Sequence, residues 1–271
     1  MNIVILENYR QMSKYAAEII AGYVKSKPDF VLGLATGSTP IGTYQELVRM
    51  HREEGLDFSR VRTFNLDEYL GVGIDMEKTY DMDQSYARFM HEELFKHINI
   101  KRENIHIPDA QTKEPKKFCM WYEEEIKKAG GIDLQLLGLG GDGHWGFNEP
   151  GSSLGSRTRI VALTKQTLDD NYKSFYKKAN IERDQMPHFA ISMGVGTILD
   201  AKNVLMIVNG YKKADIVAKC LEGPITSQVT ASAIQLHSGG ISVVLDAAAA
   251  SKLMHSDHYK HVAKMRFQYG I

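Results

Sequence analysis

Asp142, His144 and Glu149 fall within eight residues on a stretch, Gly138-Leu139-Gly140-Gly141-Asp142-Gly143-His144-Trp145-Gly146-Phe147-Asn148-Glu149-Pro150, whose first nine residues include five glycines. Glycine lets a backbone turn sharply and approach a ligand closely. A histidine exchanges a proton near neutral pH, and Asp142 or Glu149 can fix its tautomer and raise its basicity. A polar turn with an exposed histidine is the plain alternative. Three ionisable groups gathered on one glycine loop point instead to a site. A second acidic pair, Asp67-Glu68, follows the apolar stretch Val61 to Leu66. A carboxylate at the end of a strand can act as base toward a carbon acid, although helix capping or exposure serves either acid equally well. The third stretch is Ala35-Thr36-Gly37-Ser38-Thr39-Pro40. Here Thr39 is expected to cap a helix that Pro40 opens, and the amides of that turn, with the Thr36 and Ser38 hydroxyls, suit an anion such as phosphate. No P-loop pattern is present.

Elements that would position these residues alternate along the chain. Strands are expected at Ile3 to Leu6, Phe30 to Ala35, Val61 to Leu66, Ile105 to Ile107, Leu134 to Leu139, Ile160 to Leu163, Phe189 to Met193, Val204 to Val208 and Ile241 to Leu245. Helical spacing follows Met12, Ile41, Tyr86 and Lys116, and centres again on Ile216, Ile234 and the Ala247–Leu253 run. Strand–helix alternation of this kind predicts an α/β fold with a mostly parallel sheet covered on both faces. No Pro/Gly/Ser linker divides residues 1–271, so a single domain is expected.

Composition narrows the function. Lys+Arg and Asp+Glu both number 33, which offers no global charge to nucleic acid or an anionic membrane. Cys119 and Cys220 lack metal or redox spacing, and the first ten residues do not read as a signal peptide. No apolar run reaches the length of a membrane span. A cytoplasmic protein is expected. Gly138-x-Gly140-x-x-Gly143 satisfies a dinucleotide fingerprint, but a poor helix start follows it. Gly151-x-Ser153-x-Gly155 lacks the strand that a nucleophile elbow needs. His255, His258 and His261 have no acid or cysteine beside them to complete a metal site; they read as surface or interface residues.

Taken together, Leu34 to Pro40, Phe64 to Tyr69, Gly143-His144 through Asn148-Glu149-Pro150, Ser156 to Arg159 and Gly194 to Thr197 resemble the glucosamine-6-phosphate deaminase (isomerase) family, in the family's order and from about residue 30 to 245. The resemblance implies a Rossmann-like three-layer α/β/α fold. It implies an enzyme that converts glucosamine 6-phosphate to fructose 6-phosphate and ammonium without cofactor or metal, with a small sugar phosphate as partner and a homo-oligomer left open. Carried over by motif, Asp67 is the base that moves the C2 proton to C1. His144 assists ring opening, supported by Asp142 and Glu149. Thr36, Gly37, Ser38, Thr39 and Lys213 hold the phosphate, joined by Lys173 from a mobile lid at about 160–187. This chain departs from the family pattern at several points. Lys173 stands where an Arg is usual, and Trp145, expected to narrow the pocket, replaces a small aliphatic residue. The segment Val72 to Gln84 is long and lacks a His-Pro pair. Val161 stands where regulated members carry a Lys, which argues against activation by N-acetylglucosamine 6-phosphate. A 6-phosphogluconolactonase or a non-catalytic sugar-phosphate sensor is the alternative.

Overall fold

A computed structural model describes residues 1–72, 85–109, 111–173, 177, 182–183 and 186–270. Its main sheet takes the order β1 (Asn2–Leu6), β10 (Gly240–Asp246), β9 (Asn203–Val208), β6 (Leu134–Leu137), β2 (Val31–Leu34), β3 (Arg62–Asn65) and β5 (Ile105–His106), and every pairing is parallel. The central strands β2 and β6 are buried along their whole length, as near-continuous apolar runs in a doubly covered sheet require. Alternate residues serve opposite faces. Val31, Phe64, Leu137 and Met206 join one core, while Leu32, Leu34, Leu136 and Leu205 join the other.

Helices complete the two outer layers. On one face lie α1 (Tyr9–Ser26), α2 (Ile41–Glu54) and α3 (Tyr86–Glu93), inserting Met12, Ile20, Leu47 and Met90 among others. On the opposite face, α4 (Pro115–Lys128), α6 (Val195–Leu199), α7 (Ala214–Glu222) and the 3-10 segment Thr230–Leu236 contribute Tyr122, Ile198, Val217 and Ile234. The chain runs outward from β2 through β3 to β5, then returns to place β6 on the other flank of β2. That reversal is a topological switch point, and a crevice forms there beyond the C-terminal ends of the strands.

A smaller antiparallel sheet stands beside this edge. It has the order β4 (Asp67–Tyr69), β8 (Phe189–Ser192), β7 (Arg159–Ala162), with Asp67 and Arg159 both opposite Ser192. The expected strand Val61 to Leu66 therefore ends early. Its last apolar residue, Leu66, joins the two sheets: its N–H donates to Leu34 O, and its carbonyl accepts from Met193 N at 2.7 Å. The Ala247–Leu253 run is not a helix but a series of turns buried at Ala249, Ala250 and Leu253, held by Asp246, whose carboxylate accepts from Ala249 N at 2.7 Å. The terminal helix is α8 (Ser256–Tyr269), which has no fully buried residue and so lacks a clear apolar stripe. His255, His258 and His261 are all exposed. Cys119 and Cys220 are free and buried. Among the described residues no helix is long and apolar enough to cross a membrane.

The expected lid region contains β7 and α5 (Lys165–Asn171), but its residues 174–176, 178–181 and 184–185 lie outside the described residues. So do residues 73–84 of the long segment noted above.

Candidate active site

A cavity of about 270 Å³ occupies the switch point, walled by the turn after β2, the start of β4, the glycine loop after β6 and Lys213 beyond β9. Thr36, Gly37, Ser38 and Thr39 all line it. Gly37 has φ +106°, which a side chain would oppose. The helix that follows begins at Ile41 with Pro40 as its N-cap and no side-chain capping bond. Thr39 therefore does not cap α2. Its hydroxyl donates to Asn209 Oδ1, just past β9, at 2.8 Å instead. Lys213 reaches the cavity from the other side, its ammonium donating to Leu139 O at 2.8 Å. Burial lowers its pKa, opposed by the charge of Asp142. An ammonium so placed, facing free amides of a strand–helix turn, suits a doubly charged phosphate.

The two acids of β4 separate by the alternation of the strand. Glu68 is fully buried on the side of α3 and accepts four hydrogen bonds. Tyr69 N and Tyr86 N donate to one oxygen, and Ser85 Oγ and Ala87 N donate to the other. It is an anchor for the N-terminus of α3. Asp67 faces the cavity, only 4% exposed, and among the described residues its carboxylate makes no hydrogen bond. Burial pushes its pKa up to about 8, with the Glu68 charge adding to the shift. Burial also raises Glu68, to about 7, against the pull of its hydrogen bonds. A carboxyl poised near neutrality in an enclosed site is suited to take and return a proton.

The glycine loop folds back on itself. Gly140 N donates to His144 O at 2.9 Å, and Gly143, at φ +88°, turns the chain between them. His144 Nδ1 lies 2.5 Å from Asp142 Oδ1, and that contact holds the Asp142 carboxyl below its ordinary range. The ring then presents Nε2 to the cavity side, where Gly140 leaves it room: a Cβ there would lie 2.5 Å from Nε2. Gly146 clears the same kind of space for the acid, since a Cβ on it would stand 2.8 Å from Asp67 Oδ2. Beyond Gly146 the loop is tied to β8 and its extension, with Phe147 N on Ser192 Oγ at 3.1 Å and Asn148 Nδ2 on Met193 O at 2.7 Å.

Two expected members are not brought together with the rest. Glu149 is buried and does not line the cavity. It accepts from Thr164 N and Thr164 Oγ1, both at 3.0 Å, and from the Thr167 hydroxyl, so it fastens the first turn of α5. Lys173 is exposed just past α5 and does not line the cavity. Trp145 does not narrow the pocket either. It is 1% exposed inside the main core, because the loop's reversal turns it inward while Gly146 and Phe147 face the cavity. Tyr86 is a wall that motif reading does not supply. Its ring lies parallel to Phe147 at 5.9 Å, and its hydroxyl is 3.1 Å from that of Tyr69, which donates in turn to Asn171 Oδ1 at the end of α5. The only signal for Tyr86 in the chain is its place one residue after Ser85, the N-cap of α3.

A larger cleft of about 490 Å³ lies by the end of α4, but its Glu123, Arg157 and Asp200 are paired with one another. Among the described residues no cluster of His, Cys, Asp and Glu could hold a metal ion.

Comparison with known proteins places these features in a family. The model for glucosamine-6-phosphate isomerases/6-phosphogluconolactonase matches residues 7–243. A glucosamine-6-phosphate deaminase of Shewanella woodyi is 48% identical over 262 residues, covering 97% of this chain and 95% of its own. One from a Thermoanaerobacter species is 45% identical, covering 95% and 97%. Among solved structures, a monomeric glucosamine-6-phosphate deaminase superposes with a TM-score of 0.85 at 41% identity, over 93% of this chain and 100% of that one. A 6-phosphogluconolactonase from Trypanosoma brucei shares the fold at a TM-score of 0.71 and 20% identity, covering 93% and 98%.

Proposed function

The chain belongs to the glucosamine-6-phosphate isomerase/6-phosphogluconolactonase family, and from that premise we infer that it is a glucosamine-6-phosphate deaminase. It converts glucosamine 6-phosphate and water to fructose 6-phosphate and ammonium. The observation that carries the chemistry is the meeting, in one cavity, of an anion-binding turn, a lysine, a histidine and a buried carboxyl that keeps its proton to about pH 8. The Thr36–Thr39 turn and Lys213 hold the phosphate. His144, oriented by Asp142, passes the anomeric hydroxyl proton to the ring oxygen, and the C1–O5 bond breaks to give the open aldehyde. Ionised Asp67 then removes the proton from C2 while the aldehyde oxygen takes a proton from the substrate's own ammonium group, leaving an enolamine, and Asp67 returns its proton to C1. The resulting C2 iminium takes up water, and ammonia departs with a proton as ammonium. Binding aligns each transfer, which otherwise needs encounters in solution. The enzyme acts on its small substrate in the cytoplasm.

The lactonase alternative is weaker, because the lactonases share only about a fifth of their residues with this chain, against nearly half for the deaminases. The test is ammonium release from glucosamine 6-phosphate with fructose 6-phosphate as co-product, run in deuterated water. Solvent deuterium is expected at C1 and at no other carbon, in the proportion of turnovers in which the Asp67 carboxyl exchanges its proton before returning it. Hydrolysis of 6-phosphogluconolactone with no ammonium release would overturn the reading.

A further inference from the structure

Around the anion-binding turn two side chains outside the cavity make hydrogen bonds that the reaction does not use. Tyr9 is the first residue of α1, placed by the Asn8 N-cap, which accepts from Gln11 N at 3.0 Å. Its hydroxyl donates between Ser38 O at 3.2 Å and Thr39 O at 3.1 Å, and accepts from Gly42 N at 2.8 Å. From the opposite side Asn209 Oδ1 accepts the Thr39 hydroxyl proton at 2.8 Å. Asn209 itself sits between β9 and Gly210, whose N–H is held by the Asp246 carboxylate at 3.0 Å.

These bonds decide which way the turn's peptides face. A trans peptide points its C=O and N–H in opposite directions, and no cis bond occurs among the described residues. Holding Ser38 C=O toward Tyr9 therefore turns Thr39 N–H toward the cavity that Thr39 lines. Without the phenol, Ser38 and Thr39 carbonyls can rotate inward, where their oxygens would repel a phosphate. Gly42 N–H, an open donor of the first turn of α2, is already satisfied by the phenol. With its proton committed to Asn209, the Thr39 hydroxyl does not donate to a ligand, so Thr39 serves the phosphate through its backbone.

We propose that Tyr9 and Asn209 are positioning residues for the phosphate: a clamp on Ser38 and Thr39 that holds the Thr39 amide inward before substrate arrives. The proposal rests on the assignment of this cavity as the phosphate site, so the experiment separates the two. Tyr9→Phe, Asn209→Leu, the double variant and Lys213→Ala are compared in steady-state kinetics on glucosamine 6-phosphate and in calorimetric titration with inorganic phosphate. Each clamp variant should raise KM roughly three- to tenfold, the range set by one hydrogen bond. It should weaken inorganic phosphate by the same factor and leave kcat within about twofold. The double variant should fall short of the product of the two effects, because both act on one turn. If Lys213→Ala weakens phosphate while neither clamp variant does, the clamp is refuted and the phosphate site stands. If Lys213→Ala leaves phosphate binding intact, the site assignment fails and the clamp with it. A loss confined to kcat, or to melting temperature with unchanged phosphate affinity, would also overturn the proposal.

Discussion

Asp67 keeps its proton to a pH at which an aspartate in the unfolded chain is long ionised, and this links catalysis to stability through one atom pair. The folded pKa is raised, so its stabilising share is complete below the unfolded value near 4 and is lost as pH rises toward 8. Asp67→Asn cannot ionise and escapes that loss. Its melting temperature should therefore exceed the wild type's by a margin that widens from pH 4 to 8. Turnover should fall by about 10²-fold or more. In the wild type, kcat/KM should climb with pH up to about 8 as the base becomes free to act. A constant melting difference across that range would remove the buried, protonated carboxyl from the account. Asp142 and His144 are legible in the sequence because they meet within one loop. Glu149 is misleading for the same reason: it is near in sequence, yet its partners Thr164 and Thr167 lie 15 and 18 residues on.

Strand β4 sends Asp67 to the cavity and its neighbour Glu68 into architecture. Glu68 accepts from donors on both oxygens, so Glu68→Gln must turn an NH2 toward two of them. Urea denaturation should show a loss of about 2–4 kcal/mol. KM should rise as well, since α3 carries Tyr86 into the cavity wall. Unchanged stability would mean that another group anchors α3. The nine strands predicted from apolar runs all form, within a residue or two at each end. β4 is invisible to that method, being three residues, two of them acidic, and dependent on pairing with β8 more than a hundred residues away. The alanine run misleads because helix propensity yields there to burial against the core. The terminal helix escapes notice because it lies against β1 without fully burying any side chain, so no apolar stripe marks it.

At the scale of the molecule, the turn and lysine proposed for the phosphate hang from the large sheet, and the proposed base, Asp67, from the small one. A ligand that spans both should stabilise the whole fold. Fructose 6-phosphate at 100 times its dissociation constant should add about 2.7 kcal/mol, read as a rise in melting temperature, and Lys213→Ala should abolish most of that rise at the same concentration. An equal rise in the variant would place the sugar phosphate elsewhere. One joint between the sheets is Leu66, bonded to Leu34 on one side and Met193 on the other. Side chains of a strand alternate faces, so a slip of one residue reverses every assignment that follows. Delete Leu66, and the two acids change faces: Glu68 would take Asp67's place at the cavity, Asp67 would take Leu66's place between the sheets, and Tyr69 would stand where Glu68 anchors α3. Surface loops elsewhere can gain or lose residues over generations. Here the spacing is itself inherited information, and a frame-preserving change of one codon would undo the enzyme as surely as losing its base.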